Sequence, residues 1–509
     1  MKLTRDAMIS AFQRRPLLVV AAVAVAVYLG ALANRFAMDD VPLIVGNPIV
    51  GAASGVWRAF LSPYWSPDLG GAMYRPLPVA GWALDRLVDG ALWYHLVTVL
   101  WHAAASVTVA VLARRLGDER AGLVAGLVFA VHPVHVEAVA NVVGRAELMA
   151  GAFVLLGVYA ALVRQSVVWS AAAWAMSLLC KENAATLPAL VVWGWIVGLA
   201  RPARSRRLSF VASWLVVGVL YAGIRWVVLR PYAGFSNVAP IFLGSPPGVV
   251  RLTAIAALAD VTRLLAFPRT LRVDYSPAER TVVTSLFDLR LATGLACLLL
   301  WGALLTVAWR RGRKVEAYGL GWIAAAFLPV ANLIFPVGFL IAERTFYLPS
   351  AGFALTIGAW VAGLPQRGVA PVAAALVLIG AIRTALRVPV WRDDASVTLS
   401  ILEDSPRSYV GPKRMTAVYL DHHDPARALD ATRIAGGLWP NDPTIYITGA
   451  VAAFAAGEPV VADSLLAGLE RLCHRCLGYY RTEAATARDH GYLDPADSLL
   501  ARARALEAQ

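Results

Sequence analysis

From Pro16 to about Pro389 the chain alternates long apolar runs with short polar breaks. Beyond Pro389 the runs shorten and become amphipathic. A membrane-crossing helix needs about 20 apolar residues, fewer inside a packed bundle. Runs near 16–34, 92–113, 121–134, 147–164, 166–180, 184–200, 208–229, 291–309, 316–335, 345–363 and 369–389 predict about eleven crossings. The segment 249–267 is moderately apolar but carries Arg251, Asp260 and Arg263, so it reads as an amphipathic helix at the membrane surface or re-entering it. The expected fold class is all-α, with a polytopic membrane bundle over 1–390 and a separate helical domain over 391–509.

The second part shows a repeat. "DPARAL", "EPVVADSLL" and "DPADSLL" begin at 424, 458 and 494, spaced by 34 and 36 residues. That is the period of tetratricopeptide (TPR) repeats, and each acid–proline pair suits a helix start. Helical hairpins of this length bury their apolar faces only by stacking. A TPR-like array binding a protein or an extended peptide is therefore expected, with no catalysis of its own.

Composition agrees with the membrane reading. Of 509 residues 59% are hydrophobic and 16% charged, against about 25% charged in a soluble domain. The net charge of +13 does not indicate nucleic acid, because Lys and Arg fall mostly between apolar runs. Positively charged loops set topology. The first fifteen residues, "ARRLGDER", "RPARSRR", "WRRGRK" and "PQR" share one face if the N-terminus is cytoplasmic and the first helix is retained. This orientation places the C-terminal domain outside the cytoplasm, and the membrane expected to hold the bundle is a bacterial inner membrane. Four cysteines are too few for a disulfide framework. "CHRC" at 473–476 reads as a local disulfide or two buried thiols, with metal or redox chemistry as the alternative.

The same orientation gathers the unusual polar segments on the outer face. "MDD" ends in Asp39 and Asp40, adjacent carboxylates whose repulsion raises the proton affinity of one of them. The pair reads either as a solvated turn or as a general base within reach of a hydroxyl. "YRP" contributes Arg75, and "WYHLVTVLWH" sets His95 and His102 two helical turns apart. "HPVHVEAVANVVGRAEL" packs His132, His135, Glu137, Arg145 and Glu147 between two apolar runs. "CKEN" adds Lys181 and Glu182, and "AERTFYLP" adds Glu343 and Arg344. Ionisable groups at membrane depth cost several kcal/mol unless paired or hydrated, so a shared polar cavity is expected. Its acids suit an acceptor and its cations an anion such as a phosphate. A divalent ion, Mg or Mn, held by Asp39, His132 and His135 is an alternative to histidines that bond to structure or phosphate.

In this order, "FAMDDVPLIVGNP", "YRPL", "YHLVTVLWHA", "HPVHVEAVANVVGRAELMAG", "LLCKEN", "FPRTLRVDYS" and "ERTFYLPSAGF" resemble the transmembrane-and-TPR (TMTC-type) O-mannosyltransferases and their bacterial relatives, from about residue 30 into the tail. The resemblance implies a GT-C-type membrane glycosyltransferase. It would take a sugar, mannose or another hexose, from a polyprenyl-phosphate donor and pass it to an extracytoplasmic hydroxyl of a protein, lipid or glycan. It also implies that Asp39 or Asp40 is the base and that Arg145, Lys181 and Arg344 suit the lipid phosphate. His132, His135, Glu137 and Glu147 would line the cavity. A lipid-linked-sugar flippase or a non-catalytic TPR scaffold are the readings from other classes. The chain shows no repeat between halves of the kind transporters carry.

Overall fold

In the computed structural model the described residues are 16–52, 54–65, 73–232, 238–473 and 476–507. The basic first fifteen residues, the centre of the 62–78 loop, and His474 and Arg475 of "CHRC" lie outside them. Among the described residues no β-strand forms, and the chain is all-α.

The membrane bundle begins with α1 (Pro16–Ala26), α2 (Pro76–Asp85), α3 (Ala91–Leu116) and α4 (Glu119–Ala130), followed by the short α5 (Val136–Ala140). Next come α6 (Arg145–Leu162), α7 (Val167–Leu178), α8 (Leu187–Val197) and α9 (Arg204–Leu229). The segment expected at 249–267 is two short helices, α10 (Pro247–Ala256) and α11 (Leu258–Ala266), which precede α12 (Leu289–Arg310). Then α13 (Lys314–Phe327), α14 (Tyr347–Ala362) and α15 (Gln366–Arg387) complete the bundle.

Every expected crossing is a helix, but not every helix is long enough to cross alone. Six stretches have the length and apolarity: 91–116, 142–162, 204–232, 289–310, 343–362 and 366–391, with a seventh if α4 and α5 form one span bent by 47°. The chain is an integral membrane protein with about six such spans. The other expected crossings are the shorter helices α1, α4, α7, α8 and α13. Pro133 and the polar "CKEN" stop α4 and α7 before a bilayer's thickness is reached.

The spans also differ in surroundings. In 142–162, 78% of the apolar window is buried inside the protein, against 6% in 204–232 and 11% in 366–391. Thus α6, α14 and α3 form the inner layer, whereas α9, α12 and α15 present apolar faces to lipid. Inner helices approach through small residues, as is usual where no hydrophobic force separates helix from lipid. Gly319 of α13 faces Gly352 of α14, and a Cβ on either would collide with the carbonyl oxygen of the other.

After α15 the chain turns through Val388–Trp391 into α16 (Asp394–Asp404). Val397 and Ile401 of α16 belong to the same buried cluster as α3, α6 and α14, so this helix is seated on the bundle. Six helices follow: α17 (Val410–Asp421), α18 (Pro425–Leu438), α19 (Pro443–Ala455), α20 (Pro459–Leu472), α21 (Leu477–Asp489) and α22 (Leu493–Glu507). They pack in consecutive pairs around a second core from Leu420 to Ala503. Two of them begin at the prolines of the repeat, Pro425 and Pro459. Cys473 and Cys476 are disulfide-bonded, with 5.5 Å between Cα atoms, in the turn between α20 and α21.

The glycine contact generates a prediction. Gly352→Val forces α13 and α14 apart, and overpacking of this kind costs about 1–3 kcal/mol. The thermal midpoint of the detergent-solubilised protein falls, whereas Gly302→Val, at a position with open space around it, leaves it unchanged.

Candidate functional site

The polar breaks meet at one end of the bundle because the segment 132–147 bonds to nearly all of them. It runs through two 3₁₀ turns and α5 before entering α6. His132 is 5% exposed, His135 0%, Glu137 4%, Arg145 1% and Glu147 2%. Buried charges must be paired, and buried polar groups hydrogen-bonded. Each of these side chains therefore draws in a distant stretch of chain.

His132 accepts from the Val134 N–H at Nδ1, and its Nε2 lies 2.9 Å from the Leu265 carbonyl of α11. The Nε2 of His135 is 2.6 Å from Ser350 Oγ of α14. Glu137 accepts from the backbone N–H of Arg344, at 2.8 Å, and from its guanidinium. Glu147 accepts from the Lys181 ammonium and, at 2.9 Å, from Asn183. Arg145 is ion-paired to Asp85 at the end of α2 and also donates to Thr98 Oγ1 and the Tyr94 carbonyl.

The two adjacent aspartates are treated differently. Asp40 is 1% exposed. It accepts from the Val143 N–H at 2.7 Å and from those of Ala37 and Val142 at 3.3 Å. Burial pushes its carboxyl up to about 7, with the three backbone donors pulling the other way. It clamps the 37–45 turn to the start of α6. Asp39 is half-buried, and no described residue donates a hydrogen bond to its carboxylate. Burial raises its pKa, opposed chiefly by the charge of Arg344, with Glu137 raising it and Arg414 and Arg75 lowering it.

The cations around Asp39 are also placed by partners. Arg75 donates to Glu182 at 2.9 Å and lies over the Tyr64 ring, 4.9 Å from its centroid. Glu182 also accepts from Arg225 of α9 at 3.1 Å. Burial raises the Glu182 pKa, but Arg75 and Arg225 outweigh it and hold the carboxyl down near 2. Burial brings Lys181 down to about 8 against the pull of Glu147. Arg344 is the most open of the three expected phosphate cations, with 37% of its side chain exposed against 12% for Lys181 and 1% for Arg145.

Of the residues expected to share a cavity, Asp39, Arg75, Glu137, Glu147, Lys181, Glu182 and Arg344 thus form one charged network. Arg145 does not join it: its donors are consumed by Asp85, Thr98 and Tyr94. Glu343 turns away from Arg344's partner and accepts from the Arg272 N–H at 2.6 Å and from Tyr275 Oη at 2.8 Å. His132 and His135 lie behind the network, as do His95 and His102, which bond to the Arg35 carbonyl and to Tyr347 Oη. Among the described residues no group of three or more His, Cys, Asp or Glu is arranged to hold a metal ion, and both His132 nitrogens are engaged. Sequence reasoning missed Asp85, Arg225, Asp394 and Arg414. A lone Arg in the apolar run "YAGIRWVVL" was the one available signal, since such a charge seeks a partner.

A helical integral membrane protein with one ion-paired polar end is the class that fold and site define. No family model matches the chain. Among curated proteins it is similar to the protein O-mannosyl-transferase TMTC3 of Mus musculus, 29% identical over 66% of this chain and 41% of that protein. It is also similar to TMTC4 of Homo sapiens, 28% identical over 76% of this chain and 62% of that protein. Tmtc2 of Drosophila melanogaster is 33% identical over 57% of this chain and 33% of that protein. These similarities bear out the TMTC-type resemblance, and the chain spans about two fifths of the length of TMTC3. Among solved structures, ArnT from Cupriavidus metallidurans bound to undecaprenyl phosphate aligns with 92% of this chain and 79% of its own. The TM-score is 0.40 and the identity 16%, too distant to carry an argument.

The Arg145 geometry is testable. Removing one member of a buried pair costs about 3–5 kcal/mol, because the other charge is left unpaired. Arg145→Ala lowers the yield of monodisperse protein in size-exclusion chromatography, and Asp85→Leu combined with Arg145→Met recovers part of it. A phosphate ligand would show the reverse, with normal yield and weakened lipid binding.

Proposed function

We propose that the protein is a membrane glycosyltransferase that moves a hexose, mannose by the names of its relatives, from a polyprenyl-phosphate donor to an acceptor hydroxyl. The observation that carries this reading is the Asp39 carboxylate. It is half-buried, unbonded among the described residues, and set among the charges of Arg344, Arg75 and Glu137. Such an arrangement sets a base close to cations that a departing phosphate needs.

The chemistry needs no more from the protein. The acceptor oxygen attacks the anomeric carbon, the bond from that carbon to the phosphate oxygen breaks, and polyprenyl phosphate leaves. Asp39 takes the hydroxyl proton. Attack opposite the leaving group inverts the anomeric centre through an oxocarbenium-like state. The leaving phosphate is already anionic and requires no general acid. Arg344, with Lys181 and Arg75 behind it, stabilises the charge that grows as the bond breaks. Burial raises the proton affinity of both aspartates, but the Asp40 oxygens are bonded and sealed. Accessibility separates the two.

The positive-inside bias supports a site facing away from the cytoplasm, with the N-terminus inside and the C-terminal helices outside in a bacterial inner membrane. The paired helices 410–507 fit a short TPR-like array for a protein or glycan acceptor. No step of the reaction as drawn is routed through a metal ion.

The test uses the full-length protein in nanodiscs, polyprenyl-phosphate [³H]mannose as donor, and envelope proteins from a strain lacking the gene as acceptors. Wild type transfers label to protein. Loss of a general base costs about 10²–10⁴-fold in rate, so Asp39→Asn falls by that order, whereas Asp40→Asn loses far less turnover per folded molecule and more stability. Wild-type transfer by Asp39→Asn would overturn the reading.

A further inference from the structure

The turn that carries Asp39 is not held by the bundle alone. Met38, immediately before it, has a φ of +56°, a left-handed conformation that non-glycine residues rarely adopt. Such a conformation persists only where the surroundings over-determine it. Here the surroundings come from the far end of the chain. The Met38 N–H donates to Asp394 Oδ1 at 2.7 Å. The same oxygen accepts from Arg414 Nη2 at 2.7 Å, and Arg414 Nε donates to Thr398 Oγ1 at 3.1 Å. One residue pair further out, the Arg35 N–H donates to the Arg392 carbonyl at 2.7 Å. The start of α16 and the first turns of α17 thus form a bracket on the Asp39 turn, across 356 residues of sequence.

The same segment reaches the other side of the network. Ser408 Oγ donates to Asp274 Oδ2 at 2.6 Å, and Ser405 Oγ to the Asp274 carbonyl at 2.8 Å. Next to Asp274, Tyr275 donates to Glu343, the residue before Arg344. The connection from the last span into the C-terminal helices therefore touches the Asp39 turn directly and the Arg344 turn through one intermediate.

We infer that Asp394 and Arg414 are positioning residues for glycosyl transfer, holding the Met38 backbone so that the Asp39 carboxylate stands where an acceptor hydroxyl meets the donor. The inference rests on the proposed function. Neither side chain contacts substrate; Asp394 acts through the Met38 N–H, and Arg414 acts through Asp394 and through its own charge on Asp39. The groups whose charges act on Asp39 are Arg344, Glu137, Arg414 and Arg75, with Asp40 adjacent and Tyr64 facing it. Arg414 is the member of that set supplied from beyond the last span. A base displaced by about 1 Å can lose 10²-fold in rate while the donor site is untouched. The signature of positioning is a fall in turnover without a change in donor affinity.

The test applies the nanodisc assay at a fixed acceptor pool, varying donor concentration and normalising to monodisperse protein. Asp394→Ala removes the acceptor for the Met38 N–H, so turnover at saturating donor falls by about tenfold or more with donor KM within about twofold. Asp394→Asn keeps an oxygen for that hydrogen bond and recovers most of the loss. Arg414→Gln, which leaves the Met38 bond in place, gives a smaller fall and carries the test if Asp394→Ala does not fold. Wild-type turnover in both Asp394→Ala and Arg414→Gln, or a change confined to KM, overturns the inference. Asp39→Asn, run alongside, separates the two ideas. If it is inactive while Asp394→Ala and Arg414→Gln are both normal, only the positioning role fails. If it is fully active, the base assignment fails and the positioning role with it.

Discussion

A charge withdrawn from water inside an apolar bundle must find an opposite charge or a set of hydrogen bonds, and the rest of this structure follows from that constraint. The stretch 132–147 is buried along almost its whole length, yet it carries two glutamates, two histidines and an arginine. Its partners include Asp40, Asp85, Lys181, Asn183, Leu265, Arg344 and Ser350. Satisfying one segment therefore fixes where α2, α11, α14 and the turn before α8 come to rest. Close packing of small residues brings the helices together, but it does not specify which turn meets which; the ion pairs do.

The same constraint divides the polar groups by role. Those with every nitrogen or oxygen of the side chain bonded behind the surface, such as Arg145, Asp40 and His132, act as structure. Those left half-open at the edge, Asp39 and Arg344, keep capacity for something that arrives from outside. A site built this way is preorganised, since the open groups stand on turns already locked by the closed ones. The opposition of a carboxylate to a guanidinium there suits a reaction that takes a proton from one reactant and sheds an anion from the other.

Much of this was legible in the primary structure, and the parts that were not share a cause. Hydropathy located the long helices of the bundle because a membrane bundle demands apolar runs, but not the short α2 and α5. It overstated their lengths most at α1, α8 and α13, where 3₁₀ turns take up part of the expected runs 16–34, 184–200 and 316–335. The clustering of ionisable residues in 132–147, 181–182 and 343–344 was visible as a violation of that pattern. Which of them pair was not, because Asp85 sits in "ALDRLVDG", an unremarkable amphipathic helix end. Arg145 consequently looked like a phosphate ligand. Asp394 and Arg414 were hidden for a related reason: charges just outside a membrane are the rule, and nothing local marks Asp394, which reaches back to Met38, or Arg414, which bonds to Asp394. The acid–proline period did mark the C-terminal helices, but α16 packs on the bundle core through Val397 and Ile401, a tertiary contact that no local period reports.

The central claim is that distant segments are held together by specific buried pairs, and the Glu137–Arg344 contact joins the two most separated halves of the network. A double-mutant cycle on thermal stability tests it, using Glu137→Gln, Arg344→Gln and the double variant in the full-length protein. Contacting residues show coupling of about 0.5–3 kcal/mol, so the double variant should be more stable than the sum of the single effects by an amount in that range. Strict additivity would mean that the two side chains do not meet, and the proposed convergence of the site would be wrong.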